Sequence, residues 1–452
     1  MAGPTQQREL RDQEEAVLFA PVLGTTRRFW LGAAPLLALT LWGMYAYTLQ
    51  LRYGLGVTGL NRPVAWGFYI VNFVFFIGIS HAGTLISAIL RLCKAEWRRP
   101  ITRAAEAITV LVLFFGLGSI IMDLGRPDRL FYVLQYGRLQ SPLLWDVTSI
   151  TTYLTGSYVY LYLPLIPDLA LVRDRATGWR RTLYTFLALG WRGTPGQHRR
   201  LERGIAVMAV LVIPVAISVH TVVSFVFSMT VQPMWHSTIF GPYFVVGAIF
   251  SGIAALIIAM AILRRVYRLE AYFKDIHFNH MGLLLLVTAI LWFYFTFAEH
   301  LTVWYGGEEA ELATLYAKLT GAFAVPFWLM VAGCFFIPFA LMARAATRNV
   351  TGTVVASVAV VIGMWLERFN IVVPTSLHPR VEMAVLHYFP SWVELSIMAG
   401  TFSGFVLVYM IATKFFPIVS IWEIQEGREK SIEEVSERVA AYLPDDLETV
   451  TS

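Results

Sequence analysis

From Trp66 to Leu90 the chain runs 25 residues without a formal charge. As a helix rising ~1.5 Å per residue, a run of that length crosses ~30 Å of hydrocarbon. The same run carries Tyr69, Asn72, Ser80, His81 and Thr84, and a histidine at membrane depth is costly unless it faces a partner, a cavity or a ligand. The constraint recurs, because Gly204 to Trp235 and Gly241 to Leu263 are also free of formal charge. With 57% of residues hydrophobic and 14% charged, against about 25% charged in soluble domains, this much apolar surface cannot be hidden in one soluble core. The composition predicts an all-α polytopic membrane protein.

Hydropathy places about ten transmembrane helices, at 29–51, 64–91, 104–124, 142–166, 204–230, 241–263, 280–300, 324–343, 351–369 and 391–413. Of the 35 Lys and Arg residues, 27 fall in the connections and tails of one side and 8 on the other. By the positive-inside rule both termini, the tails 1–28 and 421–452, face the cytoplasm. The expected location is a bacterial inner membrane. Gly67-Phe68-Tyr69 with Phe76-x-Gly78-Ile79 matches Gly241-Pro242-Tyr243 with Phe250-x-Gly252-Ile253 at one offset. The repeat predicts two four-helix bundles, 64–230 and 241–369, plus two flanking helices, 29–51 and 391–413, about an axis along the membrane normal. Ala255 stands where His81 stands in the first unit, so the first bundle is the expected home of the site. The polar tail after Glu423 has a helical pattern at Ile432, Val435, Val439 and Ala440 and is expected at the cytoplasmic surface or against a neighbour.

The basic residues lie between hydrophobic runs, so nucleic acid is a poor partner. Two cysteines, Cys93 and Cys334, are too few for the usual four-Cys iron–sulfur cluster or a cysteine zinc site, and no metal site is expected. A di-haem cytochrome needs paired histidines on two helices at two depths. Only His81 and His220 lie well inside spans, at depths that differ when counted from the span ends, so no haem is expected either. Ionisable groups instead collect at the arginine-poor side. Asp123 ends the third span and Asp146 opens the fourth, Glu299 ends the seventh, Arg368 the ninth, and Glu394 opens the tenth.

Each such acid at a span end also has a plain reading as a solvated interfacial group. Together they suit a lipid-soluble donor that sheds two protons with two electrons. Imidazole titrates near pH 6.5, and a carboxyl in apolar surroundings approaches neutrality. His81, Asp123 and Asp146 are therefore the candidate proton acceptors for a quinol. Trp66, Tyr69, Asn72 and Arg126 are the candidates to hold its ring, Arg126 also being placed to pair with the aspartates. His220, Glu299, Arg368 and Glu394 form a candidate proton path. The charged connection after Asp123 is the expected lid or docking surface. A secondary transporter is the alternative from another class.

GISHAGTLISAIL, the DLGRPDR turn, SPLLWD, GMWLERFNIVVPTSL and the stretch SVHTVVSFVFSMTVQPMWHSTIFGPYFVVGAIFSG resemble the NrfD/PsrC family of polysulfide-reductase membrane anchors. Within it the chain is most similar to the quinol-oxidising membrane subunits of alternative complex III. The resemblance covers roughly residues 60–400. It implies two four-helix bundles, a quinol substrate (menaquinone or ubiquinone) and no haem or iron–sulfur cluster in this chain. It also implies c-type cytochrome subunits, an outer-face iron–sulfur subunit and a second NrfD-like membrane subunit as partners. The family's quinol pocket, near the outer face of the first bundle, falls on His81, Asp123 and Asp146. For His81 to share a ring with Asp123, the second span must project beyond the membrane; otherwise His81 is a relay below the pocket. An anchor of a polysulfide- or nitrite-reductase-type complex is the alternative within the family.

Overall fold

Every predicted span becomes a helix in the computed structural model, which describes residues 18–22, 24–381 and 387–427. In chain order these are α1 (Arg27–Tyr53), α2 (Phe68–Leu92), α3 (Arg99–Asp123) and α4 (Pro142–Arg175). The short α5 (Gly178–Leu187) precedes α6 (Pro195–Ser228), α7 (Phe240–Val266) and α8 (Asp275–Gly306). The short α9 (Glu309–Leu319) precedes α10 (Ala324–Met342), α11 (Val350–Ser376) and α12 (Trp392–Ala412). Among the described residues, nine helices are long and apolar enough to cross a bilayer. The tenth long helix, α4, spans 34 residues and is made more polar by Asp146 and Asp168. The chain is an all-α, multi-pass membrane protein.

Local chemistry sets several boundaries. Thr194 accepts a hydrogen bond from the Gln197 N–H in a capping box ahead of Pro195, the first residue of α6, where a missing N–H does no harm. In α10 a π turn occupies Ala332–Phe336. Pro338 lies just beyond and has no N–H to offer the carbonyl four residues back, which accounts for the widened turn.

Central and peripheral helices differ in burial. The apolar window of α2 is 88% buried, that of α1 only 17%. α2 packs along α3, α6 and α7, and α4 packs along α6. α7 packs on α8 and α11, and α11 on α10. α1 and α12 lie along each other, with Gly43 facing Gly400. α2 and α7 cross through the repeated glycines. A Cβ on Gly252 would lie 2.5 Å from the Ala82 nitrogen, and one on Gly78 would lie 3.0 Å from Ser251 Oγ.

Asp123, Asp146, Glu299 and Glu394 belong to one end of the helices, here the arginine-poor end. At the opposite, arginine-rich end, residues 421–427 fold onto the chain itself. Arg91 and Arg98 pair with Glu423, Arg99 donates to the Glu423 carbonyl, and Trp422 donates to the Pro164 carbonyl at 2.7 Å. The patterned positions Ile432 to Ala440 lie outside the described residues.

Candidate functional site

At the arginine-poor end Asp146, Glu299 and Glu394 are buried and Asp123 is half-buried, and each has its own surroundings. Asp123 and Asp146 each hold one carboxylate oxygen out of solvent with no hydrogen-bond partner. Beside Asp123, Gln50 donates to the Met122 carbonyl at 2.7 Å and accepts from the Tyr69 hydroxyl at 2.5 Å. Tyr69 lies within electrostatic reach of both Asp123 and Glu394. Glu394 is therefore not aligned with His220, Glu299 and Arg368 as the sequence suggested. It caps α12, accepting from the Gly59 and Ser391 N–H groups and from the Tyr388 hydroxyl at 2.8 Å. Burial, with Glu394 beside it, holds the Tyr388 phenol well above its usual range.

The four ring-holding candidates separate. Only Tyr69 faces Asp123. Trp66 stacks on Trp235 at 5.9 Å, and Asn72 accepts from the Trp365 indole at 2.9 Å, so both turn toward the other helices. Arg126 pairs at 3.0 Å with Asp128 at the surface and not with the buried aspartates, because neighbours in the turn outcompete an acid that would have to be reached through apolar side chains.

Along α4, Asp146, Tyr153, Ser157 and Tyr160 are all buried and recur on one helical face. Tyr153 donates to the Ser80 carbonyl at 3.1 Å, and its ring stands 5.5 Å from that of His81. His81 reaches the Ala216 carbonyl through Nε2 at 2.9 Å and meets His220 edge-on, ring centroids 3.9 Å apart. The expectation that the two histidines differ in depth fails. Counting from span ends assumes level ends, and those of α2 and α6 are not level: 13 residues into one and 8 residues back along the other reach the same height. His81 is 12 residues beyond Tyr69 on α2, ~18 Å along the helix. It stands below the Asp123 cluster, the lower of its two expected positions.

Past His220 the polar groups continue into the second set of helices. The Arg368 guanidinium lies within electrostatic reach of His220 and against α2, 3.5 Å from where a Gly78 Cβ would be. Arg368 pairs with Glu367, which accepts from the Trp292 indole at 2.8 Å. A cavity of about 30 Å³ follows, lined by Glu367, His300, Lys318 and Glu299. Burial pushes the Lys318 ammonium down from 10.5 to about 8, against the pull of Glu299. Glu299 accepts from Ser237 at 2.6 Å and also lines a second cavity of about 400 Å³ at the arginine-poor end.

A family model described as polysulphide reductase, NrfD, matches residues 56–379. The chain belongs to the NrfD family. Its NrfD match runs from before α2 to the end of α11, and so includes His81, Asp123, Asp146, His220, Glu299 and Arg368 while leaving Glu394 outside. The chain is 27% identical over 424 residues to a putative dimethyl sulfoxide reductase membrane subunit of Halobacterium salinarum, covering 88% of this chain and 94% of the relative. It is 23% identical over 452 residues to an Hdr-like menaquinol oxidoreductase integral membrane subunit of Archaeoglobus fulgidus, covering 93% and 100%. A selenate reductase subunit of Mesobacillus selenatarsenatis is 21% identical over 393 residues, covering 83% and 91%.

Sequence reading missed part of this NrfD interior. Ser87 donates to Glu106 at 2.9 Å and lies 3.2 Å from the Tyr160 hydroxyl, and the other Glu106 oxygen has no partner. Glu106 falls inside the span predicted at 104–124, so an acid within an apolar run was the available signal. The face Asp146-Tyr153-Ser157-Tyr160 was equally open to a periodicity search. Lys318 gave no signal, since it comes from a short helix outside every span.

Proposed function

We propose that the chain is the quinol-oxidising membrane subunit of a multisubunit oxidoreductase of the alternative complex III type. It lies in a bacterial inner membrane with both termini cytoplasmic and the arginine-poor end outside. The observation that carries this reading is that Asp123 and Asp146, on helices ending and starting at the same end of the first bundle, 64–230, each keep one carboxylate oxygen out of solvent and without a hydrogen-bond partner. A quinol bound there loses two protons to these carboxylates and two electrons to an iron–sulfur partner subunit, leaving the quinone. Tyr69 is placed to hold one ring oxygen. The menaquinol of the Archaeoglobus relative favours menaquinone over ubiquinone. From the iron–sulfur subunit the electrons pass on to c-type cytochrome subunits of the complex. Phe131, Tyr136 and Leu139, exposed on the connection after Asp123, suit docking of the iron–sulfur subunit. The membrane part is completed by a second NrfD-like subunit. In the intact complex, Asp123→Asn and Asp146→Asn should each lower quinol oxidation at least tenfold with all subunits retained; normal turnover in both would refute the reading.

Proton translocation is a second reading, favoured by the continuity of buried polar groups. They run from Glu106, Ser87 and Tyr160 near the arginine-rich end, through Ser157, Tyr153, His81 and His220. From there they pass by Arg368 and Glu367 to Glu299 in the second bundle, 241–369. Vesicles should release more than the two scalar protons per quinol. Release of two alone would sink pumping and leave quinol oxidation standing.

A further inference from the structure

Two separated stretches meet at the larger cavity, which His236 and Glu311 line and beside which Glu308 stands. The connection between α6 and α7 brings His236, and the start of α9 brings Glu308 and Glu311. One ligand atom from each of the three lies within 4.8 Å of the others. His236 Nε2 is 3.2 Å from Glu311 Oε1, and Glu308 pairs with Arg380 at 2.7 Å. Acids at the start of α9 complement the helix dipole. The dipole does not account for an imidazole turned onto them.

A second observation points to a ligand. Glu299 lines the same cavity as His236 and Glu311, is 4% exposed, and keeps its Oε1 without a hydrogen-bond partner. Its Oε2 is held by Ser237, the neighbour of His236 in sequence. The cavity is therefore lined by an imidazole, the Glu311 carboxylate and a buried Glu299 with one unpaired oxygen, and Glu308 stands within 4.8 Å of the first two.

We propose that His236, Glu308 and Glu311 bind a divalent first-row cation of the Zn²⁺ or Co²⁺ class over this cavity. One imidazole and two carboxylates suit such a metal, with water in the remaining position. Ligand atoms ~2.0–2.2 Å from a tetrahedral ion stand ~3–3.6 Å apart, so the observed spread closes with side-chain rotation alone. Calcium and magnesium prefer all-oxygen sets. The two carboxylates offset the ion's charge, and Arg380, which competes for Glu308, sets the affinity below that of a closed structural site. Two cysteines far from this point gave the sequence no sign of it, because the ligands meet only in the fold. Bound there, the ion covers the opening through which Glu299 meets solvent. That consequence, unlike the binding itself, rests on the proton route proposed above.

The test is a Co²⁺ titration of the purified complex, followed by its visible d–d absorption and displaced by Zn²⁺. One site per complex is expected, weakened at least tenfold by His236→Asn and by Glu311→Gln. No saturable band, or equal binding in both variants, overturns the site. Proton release in vesicles is then read at a Zn²⁺ concentration that fills the wild-type site and leaves the His236→Asn site empty. Slower release in wild type alone supports coverage of the exit. Unchanged release alongside variant-dependent Co²⁺ binding keeps the site and overturns its control of Glu299.

Discussion

The rings of His81 and His220 meet edge to face, 76° between planes, and both are sealed from solvent. His81 Nδ1 and both His220 nitrogens lack partners. Each unpaired buried group of this kind costs about 1–3 kcal/mol, which a purely structural contact would not retain. His220→Phe keeps the packing and removes the unpaired nitrogens, so thermal stability of the complex should hold or rise while protons released per quinol in vesicles fall to the scalar two. A loss of stability with unchanged proton release would make the pair structural.

Glu106 tests the opposite end of the same file. Its hydrogen bond with Ser87 survives in Glu106→Gln, so the fold should be little changed. Quinol oxidation by the solubilised complex should persist, while protons released per electron in vesicles fall to the scalar value. Unchanged stoichiometry would remove Glu106 from the path.

The α2–α7 crossing predicts a contrast between two glycines. Gly252→Ala drives a methyl into the Ala82 backbone, which no side-chain movement relieves, and should destabilise by about 2–3 kcal/mol or more. Gly118, in α3, has open space around a new Cβ, and Gly118→Ala should stabilise by about 0.5–1 kcal/mol through helix propensity. Thermal unfolding in detergent reads both.

Lys318 gives a pH signature. Its folded-state value near 8, below the ordinary 10.5, means the native state holds fewer protons than the unfolded chain between those values. The charged amine is thus a burden at its full extent below pH 8, and the burden fades as pH rises toward 10.5. Compared with Lys318→Met, the wild type should be less stable at pH 7, by an amount of order 3 kcal/mol. The gap should narrow from pH 8 to 10. A gap constant across that range would mean the amine is already neutral or already solvated.

The helices were legible because charge-free runs the length of a bilayer leave few alternatives, and the multi-pass fold follows from them. The site was legible only in part. Asp123 and Asp146 announce themselves as acids at the ends of apolar runs, and the structure takes one oxygen of each out of solvent. The meeting of His81 with His220 could not be read from span ends, since uneven ends shift depth by about one and a half turns. Glu394 looked like a member of a path because it opens a span. Its partners Gly59 and Tyr388 come from connections whose course no periodicity encodes. Arg126 failed for the converse reason, as its partner was two residues away.

The strap at residues 421–427 has a consequence for assembly. Arg98 is translated 325 residues before Glu423, the carboxylate that neutralises it. While the helices enter the membrane, Arg91 and Arg98 lack the acid they later hold, and Arg99, already paired with Glu96, lacks the Glu423 carbonyl; all three are available to hold that end at the membrane surface. Only when translation reaches Trp422 and Glu423 do Arg91 and Arg98 gain their carboxylate. The stretch made late thus fastens the bundle made early, and a nascent chain halted at α12 would leave α2 and α3 inserted but unlatched.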